Sequence, residues 1–256
     1  MTEPFFDSLA ADYDRRYAET AVGRLQRAQV WRQLNTLWQA GDSLVELGCG
    51  TGIDAAALSA RSIRVLATDI SPAMVEVARR RCGAGVRLAV LAAEQIGMLD
   101  EHFDGAFSNF AALNCILDLD AFARDLASRL RPGAKAAFCF FGRTCLWEIL
   151  GYLVRGSPRK AFRRRRSGTV LASIGGGTEV AVRYYSPDQV KRAFTPWFRL
   201  IRTVGIGVSV PPTYLDALVQ RTPRLFKQLS RLDQVIGSYW PAIHLGDHTL
   251  YLLECL

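Results

Sequence analysis

At 256 residues, with 50% hydrophobic and 22% charged side chains, the chain has the composition of one large globular domain and not of a disordered tail. No stretch approaches the roughly 20 uncharged apolar residues that a bilayer crossing needs, and the opening MTEPFFDSLAADYD lacks the basic and apolar regions of a secretory signal, so a cytoplasmic protein is expected. The net charge of +8 is concentrated: Arg155, Arg159, Lys160, Arg163, Arg164, Arg165 and Arg166 contribute seven positive charges with no acid between them, which leaves the remainder close to neutral.

In chain order, short apolar runs alternate with longer helical patterns, the signature of a parallel sheet covered by helices. The expected strands are Ser43 to Leu47, Ile63 to Thr68, Val86 to Leu91, Gly105 to Asn109 and Lys135 to Phe141, followed late in the chain by Phe198 to Val210 and Thr249 to Cys255. Helices are expected over Ile53 to Ala60, Ala73 to Arg81 and Ala121 to Leu130, the last stopped by Arg131-Pro132-Gly133. Two insertions, about 142–180 and 211–247, interrupt the regular pattern. The six cysteines contain no CxxC pair, so neither a metal centre nor a disulfide framework is expected.

The most informative stretch is Val45-Glu46-Leu47-Gly48-Cys49-Gly50-Thr51-Gly52. An apolar strand ends in three glycines at alternate positions and runs into a helix, so backbone can approach a ligand where no Cβ obstructs it. Glu46 stands at the strand end. A carboxylate there repels the phosphates of a dinucleotide but suits a cationic or zwitterionic ligand. Asp69, at the tip of the next strand, is placed to accept both hydroxyls of a ribose, which points to an adenosine-type ligand. A dinucleotide motif counted from Gly48 fails at Ile53; counted from Gly50 it gives a weak GxGxxA ending at Ala55.

These residues resemble the class I S-adenosylmethionine-dependent methyltransferases, in the small-molecule branch with a GxGxG loop preceded by glutamate. The resemblance covers about residues 1–142 well and the terminal strands more loosely. It implies a Rossmann-like α/β fold with a seven-stranded sheet of order 3-2-1-4-5-7-6, the last strand antiparallel, helices on both faces, and a single domain over 1–256. It also implies N-terminal lid helices within 1–40, the stretch from Phe5-Phe6-Asp7 to Asp12-Tyr13-Asp14 corresponding to the lid. Cofactor contacts are then expected from Tyr13, Glu46, Gly48, Cys49, Gly50, Thr51, Gly52, Asp69, Ile70, Met74, Ala93, Glu94, Gln95, Asn109 and Phe110, with Ile70 and Met74 near the adenine. Ala92 stands where the family usually has aspartate, so the adenine amine falls to the Ala93 amide and to Glu94 or Gln95. Asn109-Phe110-Ala111-Ala112 lacks the Pro-Pro-aromatic pattern of enzymes that methylate bases, which argues against a nucleic-acid partner.

With that topology both insertions leave the sheet at the carboxyl ends of the parallel strands and would roof the cofactor and the acceptor. Methyl transfer from a sulfonium is an in-line displacement that needs alignment and dryness and no metal. An oxygen acceptor would also use a base, and of three histidines His248, beside Asp247, is the candidate; His102 is expected at the surface. Tyr13, Tyr17, Tyr184 and Tyr214 could line the pocket. The apolar stretch from Trp147 to Val154 ahead of the arginines suits an anionic membrane surface contacted through 145–166, or an acidic acceptor, against the alternative of a solvated helix face. The expected activity is methyl transfer from S-adenosyl-L-methionine, leaving S-adenosyl-L-homocysteine, to a small or lipid-like acceptor, at oxygen first, with carbon and nitrogen left open. The alternatives are a binding protein without turnover and a nicotinamide-dependent oxidoreductase.

Overall fold

The computed structural model describes residues 3–166, 168–173 and 179–256. The N-terminal segment forms α1 (Glu3–Leu9), one π-helical turn at Asp14–Ala18 and α2 (Ala21–Leu34), whose start is fixed by the Thr20 hydroxyl accepting from the Gly23 amide. Then come β1 (Ser43–Leu47), α3 (Ile53–Ser59), β2 (Arg64–Asp69), α4 (Pro72–Arg81), β3 (Val86–Val90), β4 (Phe103–Ser108), α5 (Leu119–Ala127) and β5 (Leu130–Phe141). Ser71 caps α4 by accepting from the Met74 amide, and Pro72 takes the first helical position, where its missing N–H costs nothing.

The helix expected to reach Leu130 stops at Ala127, and the Pro-Gly pair expected to end it lies inside β5. Leu130 already pairs with Phe103, and the register then jumps to Gly105 opposite Lys135, so Arg131 to Ala134 bulge out of the ladder. A bulge tolerates a proline that cannot donate and a Gly133 at φ +81°.

After β5 the chain forms α6 (Leu146–Val154), α7 (Pro158–Ala161) and a separate antiparallel hairpin, β6 (Thr169–Ser173) with β7 (Glu179–Arg183), which the periodicity reading did not anticipate. Next are α8 (Pro187–Phe194), β8 (Phe198–Ile206), α9 (Asp216–Arg221), α10 (Pro223–Ile236) and β9 (His248–Cys255). β8 ends four residues earlier than expected, because Gly207 turns the chain at φ +68°.

The main sheet has the order β3-β2-β1-β4-β5-β9-β8, with β9 antiparallel to both neighbours. With the hairpin's two strands set aside, this is the expected 3-2-1-4-5-7-6. Its two faces carry separate cores. Phe122, Phe138 and Phe194 pack under α5 and α8, whereas Val30 and Leu34 of α2, Trp38 in the connection that follows it and Leu58 of α3 cover Leu44, Phe107 and Leu250. A third cluster joins Leu9 and Ala10 to Met74, Val182 and Tyr184 at the strand ends, so the N-terminal segment and the hairpin close over the same edge of the sheet.

Candidate functional site

β1 alternates its side chains between the faces: Val45 and Leu47 join one core, Leu44 the other. Glu46 therefore enters on the α2 side at a central strand end, where it is buried and its Oε2 has no hydrogen-bond partner among the described residues. Burial, with Asp54 and Asp69 nearby, pushes the Glu46 carboxyl well above the usual carboxylate range against the pull of Arg27. A buried oxygen without a partner is an expense that a donating ligand would remove.

The loop that follows adopts left-handed backbone at Gly48, Gly50 and Gly52. The three glycines differ in what a side chain would meet. A Cβ on Gly48 would lie 2.3 Å from the Ala112 Cβ and one on Gly52 2.8 Å from the Ala78 Cβ, whereas one on Gly50 would meet nothing within 4 Å. Gly48 and Gly52 thus serve close packing, and Gly50 fronts open space, as a cradle for a ligand requires.

Asp69 caps this cradle. Its Oδ2 accepts from the Gly50 amide at 2.8 Å and its Oδ1 from the Ser71 amide at 2.9 Å. Burial raises its carboxyl, although both amides and the Ile70 amide oppose the shift. The carboxylate thus shapes the loop as well as presenting oxygens at the strand tip. Ile70 is exposed beside it, whereas Met74 is buried among Leu9, Ala10 and Tyr184.

Beyond β3, a 3-10 turn spans Ala93–Met98, and the Gln95 side-chain carbonyl accepts from the Ala92 amide at 3.1 Å. That oxygen is engaged in capping, which leaves the exposed Glu94 as the more available of the two acceptors proposed for an adenine amine. The half-buried Cys115, unremarked in sequence, feels both Glu94 and Asp69, and burial pushes its thiol up to about 11.

Asp54, in the first turn of α3, collects three donors, two from α2 and one from the residue after β4: Arg27 Nη1 at 2.6 Å, Trp31 Nε1 at 2.5 Å and Asn109 Nδ2 at 3.0 Å. Asn109 is thereby fixed, and its Oδ1 accepts from the Phe110 amide. Arg27 keeps a buried Nε without an acceptor among the described residues, and its guanidinium lies 4.9 Å over the Phe110 ring. Burial drives the Tyr13 hydroxyl up to about 12, with Arg27 pulling it down and Asp69 pushing it up, which sets Tyr13 among the same charges.

The N-terminal segment is tied to this loop. Asp14 accepts from Thr51 Oγ1 at 2.6 Å and from Arg81 Nη2 at 2.5 Å, while Arg81 Nη1 donates to the Thr51 carbonyl. Asp7 accepts from the Ser71 hydroxyl and from the Ala73 amide. Asp7 and Asp14 fall in the stretch expected to form the lid, without these contacts being anticipated, whereas Arg27 and Asp54 were missed in the sequence reading, since nothing local marks them.

His248 is buried at the start of β9, stacked on Phe141 with centroids 4.8 Å apart and set edge-on to Phe110 at 5.3 Å. Asp247, its neighbour in sequence, does not hold it by a hydrogen bond. Asp247 Oδ2 lies 3.6 Å from His248 Nδ1, beyond hydrogen-bonding distance, and the aspartate is engaged by Arg164 at 2.8 Å. Burial, helped by Arg164 and opposed by Asp247, holds the imidazole below its ordinary pKa, hence neutral at pH 7. Of the tyrosines, Tyr184 packs 5.9 Å from Phe141, and Tyr214 is exposed; His102 is exposed as expected.

The arginine run divides. Arg163 and Arg164 turn inward onto the buried Glu148 at 2.5 and 2.8 Å, and Arg164 also reaches Asp247, so these two are not the free anion-binding charges expected of them. A cavity of about 390 Å³ shares Phe141 with the His248 cluster and is lined further by Arg143, Arg165, His244 and Thr249; no glycine-loop residue lines it. Among the described residues, no group of three or more His, Cys, Asp and Glu side chains is arranged to hold a metal ion.

The family model of a methyltransferase domain matches residues 44–133. Demethylmenaquinone methyltransferase of Clavibacter sepedonicus is 31% identical over 141 residues, 53% of this chain and 56% of that protein. Malonyl-[acyl-carrier protein] O-methyltransferase of Serratia marcescens is 34% identical over 146 residues, 56% of this chain and 54% of that protein. The chain therefore spans little more than half the length of these relatives. An S-adenosylmethionine-dependent methyltransferase structure from Mesorhizobium loti superposes with TM-score 0.58 at 18% identity, covering 90% of this chain and 99% of that one.

Proposed function

We propose that this chain, which carries a methyltransferase domain over residues 44–133 on a fold shared with S-adenosylmethionine-dependent methyltransferases, moves a methyl group from S-adenosylmethionine to a small or lipid-like acceptor. The observation that carries the proposal is the pair of unsatisfied buried polar atoms, Glu46 Oε2 and Arg27 Nε, beside a loop whose Gly50 fronts open space. An amino-acid zwitterion brings an ammonium for the first and a carboxylate for the second, and the two side chains feel each other's charge. A pyrophosphate would bring only negative charge to a site already holding Glu46, Asp54 and Asp69, which disfavours the nicotinamide alternative.

In this reading Gly48 to Gly52 cradle the amino-acid portion, and Asp69 accepts the ribose hydroxyls with the lone pairs its two amide bonds leave over. Ile70, Met74, Ala93, Glu94 and Gln95 border the adenine, and Tyr13, Asn109 and Phe110 close the reacting end. The N-terminal helices act as a lid held by Asp7 and Asp14. The cofactor supplies an electrophilic methyl carbon on a positively charged sulfur. The protein's task is to align the acceptor with it, exclude water and take up a proton where the acceptor carries one.

His248 is the base that this reading favours. It is neutral, desolvated and flanked by Phe110 and Phe141, and its Nδ1 lacks a hydrogen-bond partner among the described residues. A base belongs to an oxygen acceptor, the first choice here, and equally to an acidic carbon. Arg143 and Arg165 at the neighbouring cavity suit an acceptor with an acidic group. The relatives named for quinone and malonyl substrates span both the apolar and the acidic class. The test is incubation of the full chain with methyl-labelled cofactor and a metabolite and lipid extract. Label should enter a small molecule in a His248-dependent way; cofactor binding with no label transferred would favour the scaffold alternative.

A further inference from the structure

The helix α6 is built inside out. Its glutamate, Glu148, is 1% exposed and ion-paired beneath the helix, while Leu150, Leu153 and Val154 stand 52%, 44% and 89% exposed on the outside. Helical spacing puts Leu146, Leu150 and Leu153 on the face opposite Glu148, so the outward surface of α6 is a stripe of aliphatic side chains with no charge of its own. A solvated helix shows the reverse pattern.

The segment that follows the stripe carries only positive charge. From Ile149 to Ser173 the sequence holds no Asp or Glu, and with Arg163 and Arg164 turned inward the exposed charges are Arg155, Arg159, Lys160, Arg165 and Arg166. Arg159, Arg165 and Arg166 ring the exposed Phe162 around a shallow basin of about 450 Å³. The neighbouring α10, in ring contact with α6 through Trp147 and Phe226, carries Leu225 and Leu232 at about half exposure. Exposed aliphatic groups fringed by arginine match an interface with apolar chains below and phosphate above.

We infer that α6 and the arginine basin dock this protein on an anionic phospholipid bilayer, with Leu150, Leu153 and Val154 entering the acyl boundary and Arg159, Arg165 and Arg166 meeting lipid phosphates. No helix among the described residues is long and apolar enough to cross a membrane, so the contact is peripheral. The same elements lead back to His248 through Arg164 and Asp247, which sets the docking face beside the end of the sheet where a lipid-like acceptor would enter. The docking inference does not depend on the methyl-transfer reading.

Flotation of the full chain with vesicles of phosphatidylcholine alone, and of phosphatidylcholine with one quarter phosphatidylglycerol, tests it. The native chain should float with the second and not the first, and salt should weaken the binding. Leu150→Ser/Leu153→Ser/Val154→Ser should lower partitioning by about tenfold or more, and Arg159→Gln/Arg166→Gln should do likewise. Both variants should keep the native affinity for S-adenosylhomocysteine, which shows that they fold. Failure of the native chain to float, or equal flotation by the native chain and the triple-serine variant, would overturn the inference. So would a native dimer that the triple-serine variant turns into a monomer, since the face would then belong to a second copy. Retention by a soluble polyanion without flotation would also overturn it. Loss of S-adenosylhomocysteine binding with flotation intact would count against the cofactor assignment alone.

Discussion

The hydroxyl of Thr51, at the tip of the glycine loop, donates to Oδ1 of Asp14 at 2.6 Å, and Arg81 clamps the same two residues by donating to the Asp14 carboxylate and the Thr51 carbonyl. One aspartate thus fastens the N-terminal segment over the site that the loop forms. Asp14→Ala removes a hydrogen bond and a partly exposed ion pair, together about 1–2 kcal/mol. We expect faster dissociation of S-adenosylhomocysteine and an affinity lower by up to about tenfold, measured by stopped-flow fluorescence and calorimetry. Unaltered dissociation would mean that the segment is no lid.

Asp69→Ala should weaken cofactor binding by more than about tenfold, through loss of the ribose acceptor. It should also cost about 2 kcal/mol of folding stability, because the Gly50 and Ser71 amides lose a charged partner. Asp69→Asn retains an acceptor oxygen and should recover part of the stability but less of the affinity. Calorimetry beside urea unfolding separates the two effects, and a stability loss without an affinity loss would reduce Asp69 to a structural role.

How much of this could be read in the sequence depends on where each interaction's partners lie. The glycine loop and Asp69 were legible because the strand, the turn and the next strand tip follow one another within the segment that the methyltransferase model matches. The sheet order followed from the same resemblance. Asp54 was not legible: it takes its donors from Arg27, Trp31 and Asn109, and only the folded sheet brings those three together. The arginine run was misread for the same reason. Glu148 lies fifteen and sixteen residues before Arg163 and Arg164, but Asp247 lies 83 residues beyond Arg164, where no local pattern can anticipate it. The β6–β7 hairpin was overlooked because its short alternating stretch sits in an insertion read for charge.

Arg164 and Arg163 should respond unequally to removal, although both touch Glu148. Arg164→Met strips the buried carboxylate of Asp247 of its arginine, leaves Glu148 only Arg163, and should cost about 3–5 kcal/mol. Arg163→Gln leaves Glu148 its other partner and removes a guanidinium 38% exposed, so it should cost less than about 1 kcal/mol. Chemical denaturation of the two variants compares them directly; equal losses would contradict the distinction between a buried Arg164 and a half-exposed Arg163.

The raised carboxyl of Glu46 gives cofactor binding a pH dependence of definite sign. The ligand ammonium favours the ionised carboxylate, so the pKa falls on binding and a proton is released. Affinity should rise with pH across the interval between the bound and free values and level off above the free value. As pH falls through that interval, Glu46 takes up its proton and affinity drops. Glu46→Gln should bind more weakly at neutral pH and with a flatter profile, by titration in buffers of different ionisation enthalpy. An unchanged slope would remove Glu46 from the ammonium site.

His248, held below the ordinary histidine pKa, should impose an acidic limb on kcat: activity rises as pH passes its lowered value and is flat through neutrality. His248→Gln should lower kcat by about a hundredfold or more and abolish that limb, while leaving the affinity for S-adenosylhomocysteine unchanged. A variant with native kcat would show that alignment alone suffices.

The central claim is that the loop between Glu46 and Asp69 grips a sulfonium nucleoside. Its most direct test is calorimetric titration of the purified full chain with S-adenosylhomocysteine and, in parallel, with NAD. The account predicts saturable binding of the sulfur nucleoside that Asp69→Ala weakens by more than about tenfold, and no heat from the dinucleotide. Binding of NAD with none of S-adenosylhomocysteine would contradict it.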